Sequence, residues 1–193
     1  MADLLDAPLR DFLDTLAGDG PAPGGGSAAA IVVAMSAALV AMVGRASKEH
    51  WPEAGGTIGQ AEALRARVAP LAQADADAYA AALAALRGRD QLEARYRDQK
   101  LRAALEHAAE IPLRIAETGC DLAVLAALLA EKGNPEVRAD AAAAAVLAEG
   151  GTRAAAKLVA VNLAASGDDR VRRAGRLVHE AANAAQRALA AAE

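Results

Sequence analysis

The residues best placed to do chemistry meet at one junction. Pro21-Ala22-Pro23-Gly24-Gly25-Gly26-Ser27 leads at once into Ala28-Ala29-Ala30-Ile31-Val32-Val33-Ala34-Met35. Two prolines and three glycines oppose a helix across the first segment, whereas the alanine-rich run that follows meets no breaker before Gly44 and favours one. A glycine-lined turn leaves the first N–H groups of that helix unshielded by side chains. Free donors and the helix dipole then point the same way, an end that attracts a carboxylate or phosphate. An anionic ligand is expected here first.

Two carboxylates stand out for a different reason. Asp75 and Asp140 lie in largely apolar helical stretches, where a charge is costly to bury unless paired. Each is therefore either functional or turned to solvent. Asp77, two residues from Asp75, cannot share its helix face and is read as solvated. Asn162, inside an apolar helix, needs a partner. Asn134, just after Gly133, either meets a ligand or caps the helix that follows. His50, His107 and His179 have no Cys or His partner at helical spacing, so no metal site is expected.

The elements that must position these groups are helices. Leu4 to Ala17 reads as an amphipathic helix, with Leu5, Leu9, Phe12, Leu13 and Leu16 on one stripe. A second runs from about Gly26 to Lys48 and is apolar all round, which marks it as central. Its most apolar part, Ala28 to Val43, falls short of the roughly 20 residues a membrane span needs, so a buried helix is expected. Trp51 to Gly56 reads as a loop. A third helix spans Ile58 to Leu86, with Pro70 kinking or interrupting it. After a turn at Arg87 to Asp90, a fourth pattern runs from Gln91 to Glu131 and contains Pro112, giving one bent helix or two abutting ones. Gly133-Asn134-Pro135 stops it. Glu136 to Glu149 forms a helix that Gly150-Gly151 ends, Thr152 to Ala165 forms another, and Asp168 to Ala192 closes the chain. No strand pattern appears. The expectation is an all-α, antiparallel helical bundle of about seven to nine helices in one domain over residues 1–193.

Composition narrows the setting. Alanine dominates the chain, so helices can approach closely but each buries little area, and tight packing completed by a partner subunit is inferred. A net charge of −4 argues against a nucleic-acid binder. Arg170, Arg172, Arg173 and Arg176 cluster beside Asp168 and Asp169 and read as a solvated helix face. The single Cys120 fits a reducing cytosol, and the acidic N-terminus carries no secretory leader, so a cytoplasmic location is expected.

In order along the chain come Phe12-Leu13 and Pro23-Gly24-Gly25-Gly26-Ser27, then Ala38 to Val43 and Asp75-Ala76-Asp77-Ala78-Tyr79. Ile111-Pro112-Leu113 follows, then Ala130 to Pro135 running on to Asp140, and last Arg153 with Val161-Asn162. In this order they resemble the cyclodeaminase/cyclohydrolase family, which comprises the C-terminal domain of formiminotransferase-cyclodeaminase and the stand-alone methenyl-tetrahydrofolate cyclohydrolases. The resemblance covers roughly residues 8 to 170. It implies an all-α subunit that dimerises, a folate site in a groove near the subunit interface, and no cofactor beyond the tetrahydrofolate substrate.

Cyclodeamination closes a ring and expels ammonia; cyclohydrolysis opens the same amidinium ring with water. Both need proton transfer beside a delocalised cation, which a nearby carboxylate can stabilise. By the resemblance Asp75 and Asp140, with Lys100, are the catalytic candidates. Pro23, Gly24, Gly25, Gly26, Ser27, Asn134, Arg153 and Asn162 are the substrate-binding ones. The family's usual lysines after the central helix are largely replaced by Ser47-Lys48-Glu49-His50-Trp51. Ala139 and Ala142 flank Asp140 where relatives carry Ser and Gly, and Leu158 stands where an asparagine is common. These departures keep two further readings open: a homologue acting on a different amidine or imine, and a non-catalytic helical interaction protein.

Overall fold

The fold was obtained as a computed structural model, which describes residues 3–87, 94–163 and 168–193, without the side chains of residues 87, 94–98, 100 and 101. Its helices are α1 (Leu9–Leu16), α2 (Gly25–Ala46), α3 (Ala54–Val68), α4 (Leu71–Arg87), α5 (Ala94–Lys132), α6 (Arg138–Leu163) and α7 (Asp169–Ala191). A 3-10 turn, Pro135–Val137, joins α5 to α6. No strand occurs among the described residues.

Among the described residues six long helices, fewer than expected, make the bundle, because two sequence breaks do not break helices. Gly150 and Gly151 lie inside α6 rather than ending it. A Cβ on Gly151 would meet Val33 Cγ2 at 2.5 Å, so this glycine is where α2 and α6 pack backbone to side chain. Pro112 likewise sits within a continuous α5. Pro70 does interrupt, and separates α3 from α4. Pro8 delays α1 to Leu9, and only Phe12 of the expected stripe is buried, while Leu9 and Leu13 face outward. The loop read at 51–56 is shorter than expected, since α3 takes in Gly55 and Gly56. The turn read at 87–90 lies outside the described residues apart from the Arg87 backbone.

Side-chain contacts set the directions. Ser36 Oγ donates to the Ala144 carbonyl (2.8 Å) and Val33 meets Gly151, so α2 and α6 run antiparallel. Asn162 Nδ2 donates to the Ala108 carbonyl (2.9 Å), while Thr152 packs against Gly119, which makes α5 antiparallel to α6 as well. The core between them is built from Val33, Val40, Ile115, Leu122, Leu129 and many alanines. With so little side chain to bury, stability comes from close helix approach, and the buried Gly119 and Gly151 permit it.

α2 is the central helix, packed by α3, α4, α5 and α6. At 22 residues it is longer than its apolar stretch suggested, because Gly25–Ser27 and Gly44–Ala46 extend it. By length and composition alone it could cross a membrane; 56% of its most apolar window is buried inside the bundle.

Candidate functional site

The start of α2 and the start of α4 meet across a cleft. Gly24 caps α2 in an extended conformation and gives its free N–H groups no side-chain acceptor. Opposite them stands Asp75 on α4. The Ser27 backbone N–H faces the Asp75 carboxylate and lowers its pKa. Ser27 Oγ reaches Asp75 Oδ2 at 3.5 Å and donates to the Ala72 carbonyl at 2.8 Å. The helix end at which an anionic ligand is expected thus has the carboxylate of Asp75 standing beside it.

Asp75 is partly buried, and burial pushes its carboxyl above the ordinary carboxylate range; the Ser27 N–H and hydroxyl oppose the rise. Around it lies a cleft of about 340 Å³, lined by Pro21, Ala22, Gly24, Gly25, Gly26, Ala76, Tyr79, Ala108, Leu158, Val161 and Asn162. Among the described residues Asp75 is the one carboxylate in that lining. The volume falls within the range of small-molecule sites. Its largely apolar walls and the negative group of Asp75 suit a cationic ligand.

A family model described as formiminotransferase-cyclodeaminase matches residues 8–183. The chain belongs to that family. It is 37% identical over 162 residues to the methenyltetrahydrofolate cyclohydrolase of Methylorubrum extorquens, covering 80% of this chain and 78% of that one. It is also 36% identical over 174 residues to the formimidoyltransferase-cyclodeaminase of Rattus norvegicus, covering 86% of this chain but 32% of the longer rat protein. The crystal structure of formiminotetrahydrofolate cyclodeaminase from Thermotoga maritima superposes with a TM-score of 0.82 at 26% identity, over 97% of this chain and 96% of that one.

Within this family fold, the residues nominated from sequence separate into groups. Gly24, Gly25, Gly26, Asp75 and Asn162 line the cleft, and Ser27 touches Asp75. Pro23 is buried beneath the turn, after a cis peptide bond from Ala22. Asp140 is exposed in the first turn of α6. Twenty-two positions separate it from Asn162 on the same helix, about 33 Å at 1.5 Å per residue. Asn134 is also at that far end. It accepts from the Glu136 N–H (3.0 Å) as a helix cap and its side chain donates to the Ala46 carbonyl (3.3 Å). Its N–H donates to Ser47 Oγ at 2.9 Å. Arg153 is exposed and bonded to Glu149. Lys100 falls in α5, with its side chain outside the described residues.

Sequence reasoning missed the apolar walls. Tyr79 lies four residues after Asp75 and so shares its face, a signal that spacing alone could have supplied. Leu158 and Val161 lie within about one turn of Asn162, yet apolar residues on an apolar helix carry no such signal. A second, more open hollow of about 450 Å³ lies between α3, α5 and α7, lined in part by Arg67, Asp121 and Glu180. It is larger but holds no residue of the family motifs, so the chemistry is assigned to the cleft. No group of His, Cys, Asp and Glu able to hold a metal occurs among the described residues.

Proposed function

We propose that this chain interconverts folate one-carbon units, as a formimino-tetrahydrofolate cyclodeaminase or a methenyl-tetrahydrofolate cyclohydrolase. The observation that carries the reading is the Asp75 carboxylate, half withdrawn from water at the wall of a cleft that, among the described residues, holds no other charge. An amidinium cation is the natural partner of such a group. Low local dielectric strengthens the attraction, and it grows as charge develops at the reacting carbon.

In cyclohydrolysis, water oxygen bonds to the methenyl carbon and its proton passes to Asp75. The resulting tetrahedral carbon, which keeps the hydroxyl, then expels one ring nitrogen, which takes that proton back, while the hydroxyl releases its own proton to solvent as the formyl carbonyl forms. In cyclodeamination a folate nitrogen bonds to the formimino carbon, and the carbon–nitrogen bond to the departing amine breaks. Starting from the protonated formimino group, Asp75 relays the proton lost by the attacking nitrogen to the departing amine, which leaves as ammonia and restores the amidinium charge. A carboxyl held above its usual range is better matched to such relays near neutral pH. Cys120 is a poor nucleophile by contrast, since it is buried and its thiol is pushed up to about 12, chiefly by that burial.

The reading needs no cofactor beyond the folate. A homodimer in the cytoplasm is part of it, supported by the family's implied assembly and by one free, buried cysteine. The arginine cluster supports a reading without nucleic acid, for Arg170, Arg172 and Arg173 are bonded to Asp168, Asp169 and Glu117. Purified protein mixed with methenyl-tetrahydrofolate and, separately, with formimino-tetrahydrofolate should change their ultraviolet absorbance faster than buffer. No acceleration with either compound would sink the proposal. Leu158 favours a second reading: an apolar side chain lines the cleft where relatives carry an asparagine, which suits a less polar amidine or imine. Thermal-shift screening separates the two, because a ligand of the site raises the melting point.

A further inference from the structure

Pro112 withdraws one donor from the middle of α5. In a continuous helix the N–H of residue 112 would bond the carbonyl of residue 108, but proline has no N–H and its ring crowds that carbonyl. Ala108 is only 6% exposed, so bulk water is a poor substitute for the missing partner. The substitute comes from another helix. Asn162 Nδ2, near the end of α6, donates to the Ala108 carbonyl at 2.9 Å.

That bond decides which way the Asn162 amide faces. A carbonyl oxygen accepts and never donates, so the amide nitrogen has to be the atom turned toward Ala108. Oδ1 takes the other branch. Among the described residues no donor reaches it, and it is not a buried unpaired atom, so it stands open. Ala108 and Asn162 both line the cleft that holds Asp75, which makes the open Oδ1 an acceptor at the cleft wall. Pro112 is fully buried and does not itself line the cleft. With an N–H at position 112 the Ala108 carbonyl would be shared, and the amide would be held less firmly to this one orientation.

We propose that Pro112 is a positioning residue: by leaving the Ala108 carbonyl without its helical partner, it locks the Asn162 amide with Oδ1 toward the cleft, and so selects ligands that carry an N–H donor apart from their cation. The cation meets Asp75, and the neutral N–H meets Asn162 Oδ1. A ligand without that donor leaves the acceptor unpaired, which is the condition under which a polar site discriminates strongly. The choice of ligand rests on the folate reading, since the amidinium of methenyl-tetrahydrofolate is fully substituted while its pteridine ring carries N–H groups. The coupling of Pro112 to Asn162 does not rest on it.

Two measurements test the proposal. The first is a stability cycle over Pro112→Ala, Asn162→Leu and the double variant, read by chemical denaturation. Asn162→Leu leaves the Ala108 carbonyl unpaired in the parent, but in the Pro112→Ala background the helix supplies an N–H. The drop in denaturation midpoint caused by Asn162→Leu should therefore be about half as large, or less, in Pro112→Ala as in the parent. Equal drops in the two backgrounds overturn the coupling. Where a variant fails to fold, the unaltered protein decides. The chain has three asparagines, Asn134, Asn162 and Asn183, so selective 15N-asparagine labelling gives three side-chain pairs, assigned through Asn134→Ala and Asn183→Ala. One Asn162 side-chain proton should exchange with solvent about tenfold or more slowly than those of exposed Asn183. Equal exchange overturns the lock.

The second measurement reads ligand choice. With methenyl-tetrahydrofolate, Pro112→Ala should raise KM about five- to tenfold and leave kcat within about twofold, because binding loosens while Asp75 keeps its place. Inhibition by 1,3-diphenylimidazolinium, a cyclic amidinium with no N–H, should be the same in Pro112→Ala and the parent. An unchanged KM, or equal weakening of both ligands, overturns the selection. If the unaltered protein turns over neither folate, the functional reading fails, and the stability cycle by itself decides the coupling.

Discussion

The Asp75 carboxyl group occupies the space where a side chain on Gly26 would be. A Cβ built on that glycine overlaps the Asp75 carboxyl carbon and both of its oxygens. The glycine is thus less a hinge than a vacancy, and it lets a carboxylate from α4 settle against the open N–H groups of α2.

From that contact comes the first expectation. Gly26→Ala must push Asp75 away from Ser27 or spread α2 from α4. Overpacking of this kind costs about 1–3 kcal/mol. Because the carboxylate is also displaced from the cleft, turnover should fall by about tenfold or more, equal to 1.4 kcal/mol of transition-state stabilisation. Denaturation midpoints and steady-state rates on methenyl-tetrahydrofolate read the two effects separately. Normal turnover in a destabilised Gly26→Ala protein would show that the Asp75 position does not matter to the reaction.

Asp75→Asn should trade activity for stability. Burial raises the folded-state pKa of Asp75, so the folded protein holds that proton more tightly than the unfolded chain. The stability Asp75 contributes is therefore full below the ordinary unfolded carboxylate pKa and is lost as pH rises through the raised folded value. Asparagine cannot ionise and escapes that loss. Relative to wild type, the melting temperature of Asp75→Asn should rise as pH climbs above the ordinary carboxylate range, while turnover is abolished. A melting difference that stays flat with pH would mean that Asp75 is not held in a desolvated state.

Ser27→Ala tests what restrains that pKa. The Ser27 hydroxyl is one of two groups lowering the carboxyl against its burial, and it also satisfies the buried Ala72 carbonyl. Removing it leaves the Ala72 carbonyl, in the first turn of α4, with its intrahelical partner and takes away one hydrogen bond, at a cost of about 0.5–1.5 kcal/mol. The Asp75 carboxyl should then move further upward, and the acidic limb of kcat/KM should shift to higher pH. An unchanged limb would assign it to another group.

Much of this was legible in the chain because its punctuation is strong. The Pro-Gly segment before α2, the break at Pro70 and the stop at Gly133-Asn134-Pro135 act locally, through φ restriction and missing donors, and need no knowledge of the neighbours. Gly150-Gly151 misled for the converse reason: its role is set by Val33 on another helix, and nothing nearby in sequence records that contact. The site divided in the same way. Asp75 and the glycine turn could be nominated separately, but that one stands beside the other depends on α4 meeting α2. Asp140 and Asn134 carried family spacing as clear as that of Asp75, yet spacing along the chain does not report the 33 Å of helix between them and the cleft.

The glycines themselves give a last test, since the fold assigns them opposite roles. Gly151 is buried against α2, where a Cβ would meet Val33 Cγ2 at 2.5 Å and the Ala29 carbonyl at 3.4 Å. Gly175 lies in α7, exposed, with nothing within 4 Å of an added Cβ. Gly151→Ala must force α2 and α6 apart or twist Val33 from its rotamer, and should destabilise by about 1–3 kcal/mol. Gly175→Ala has no such contact to disturb and removes the backbone freedom that a helical glycine loses on folding. It should stabilise by about 0.5–1 kcal/mol. Chemical denaturation of the two variants beside wild type reads both signs at once. If both lowered stability, close α2–α6 approach would lose its claim to be what Gly151 specifically provides.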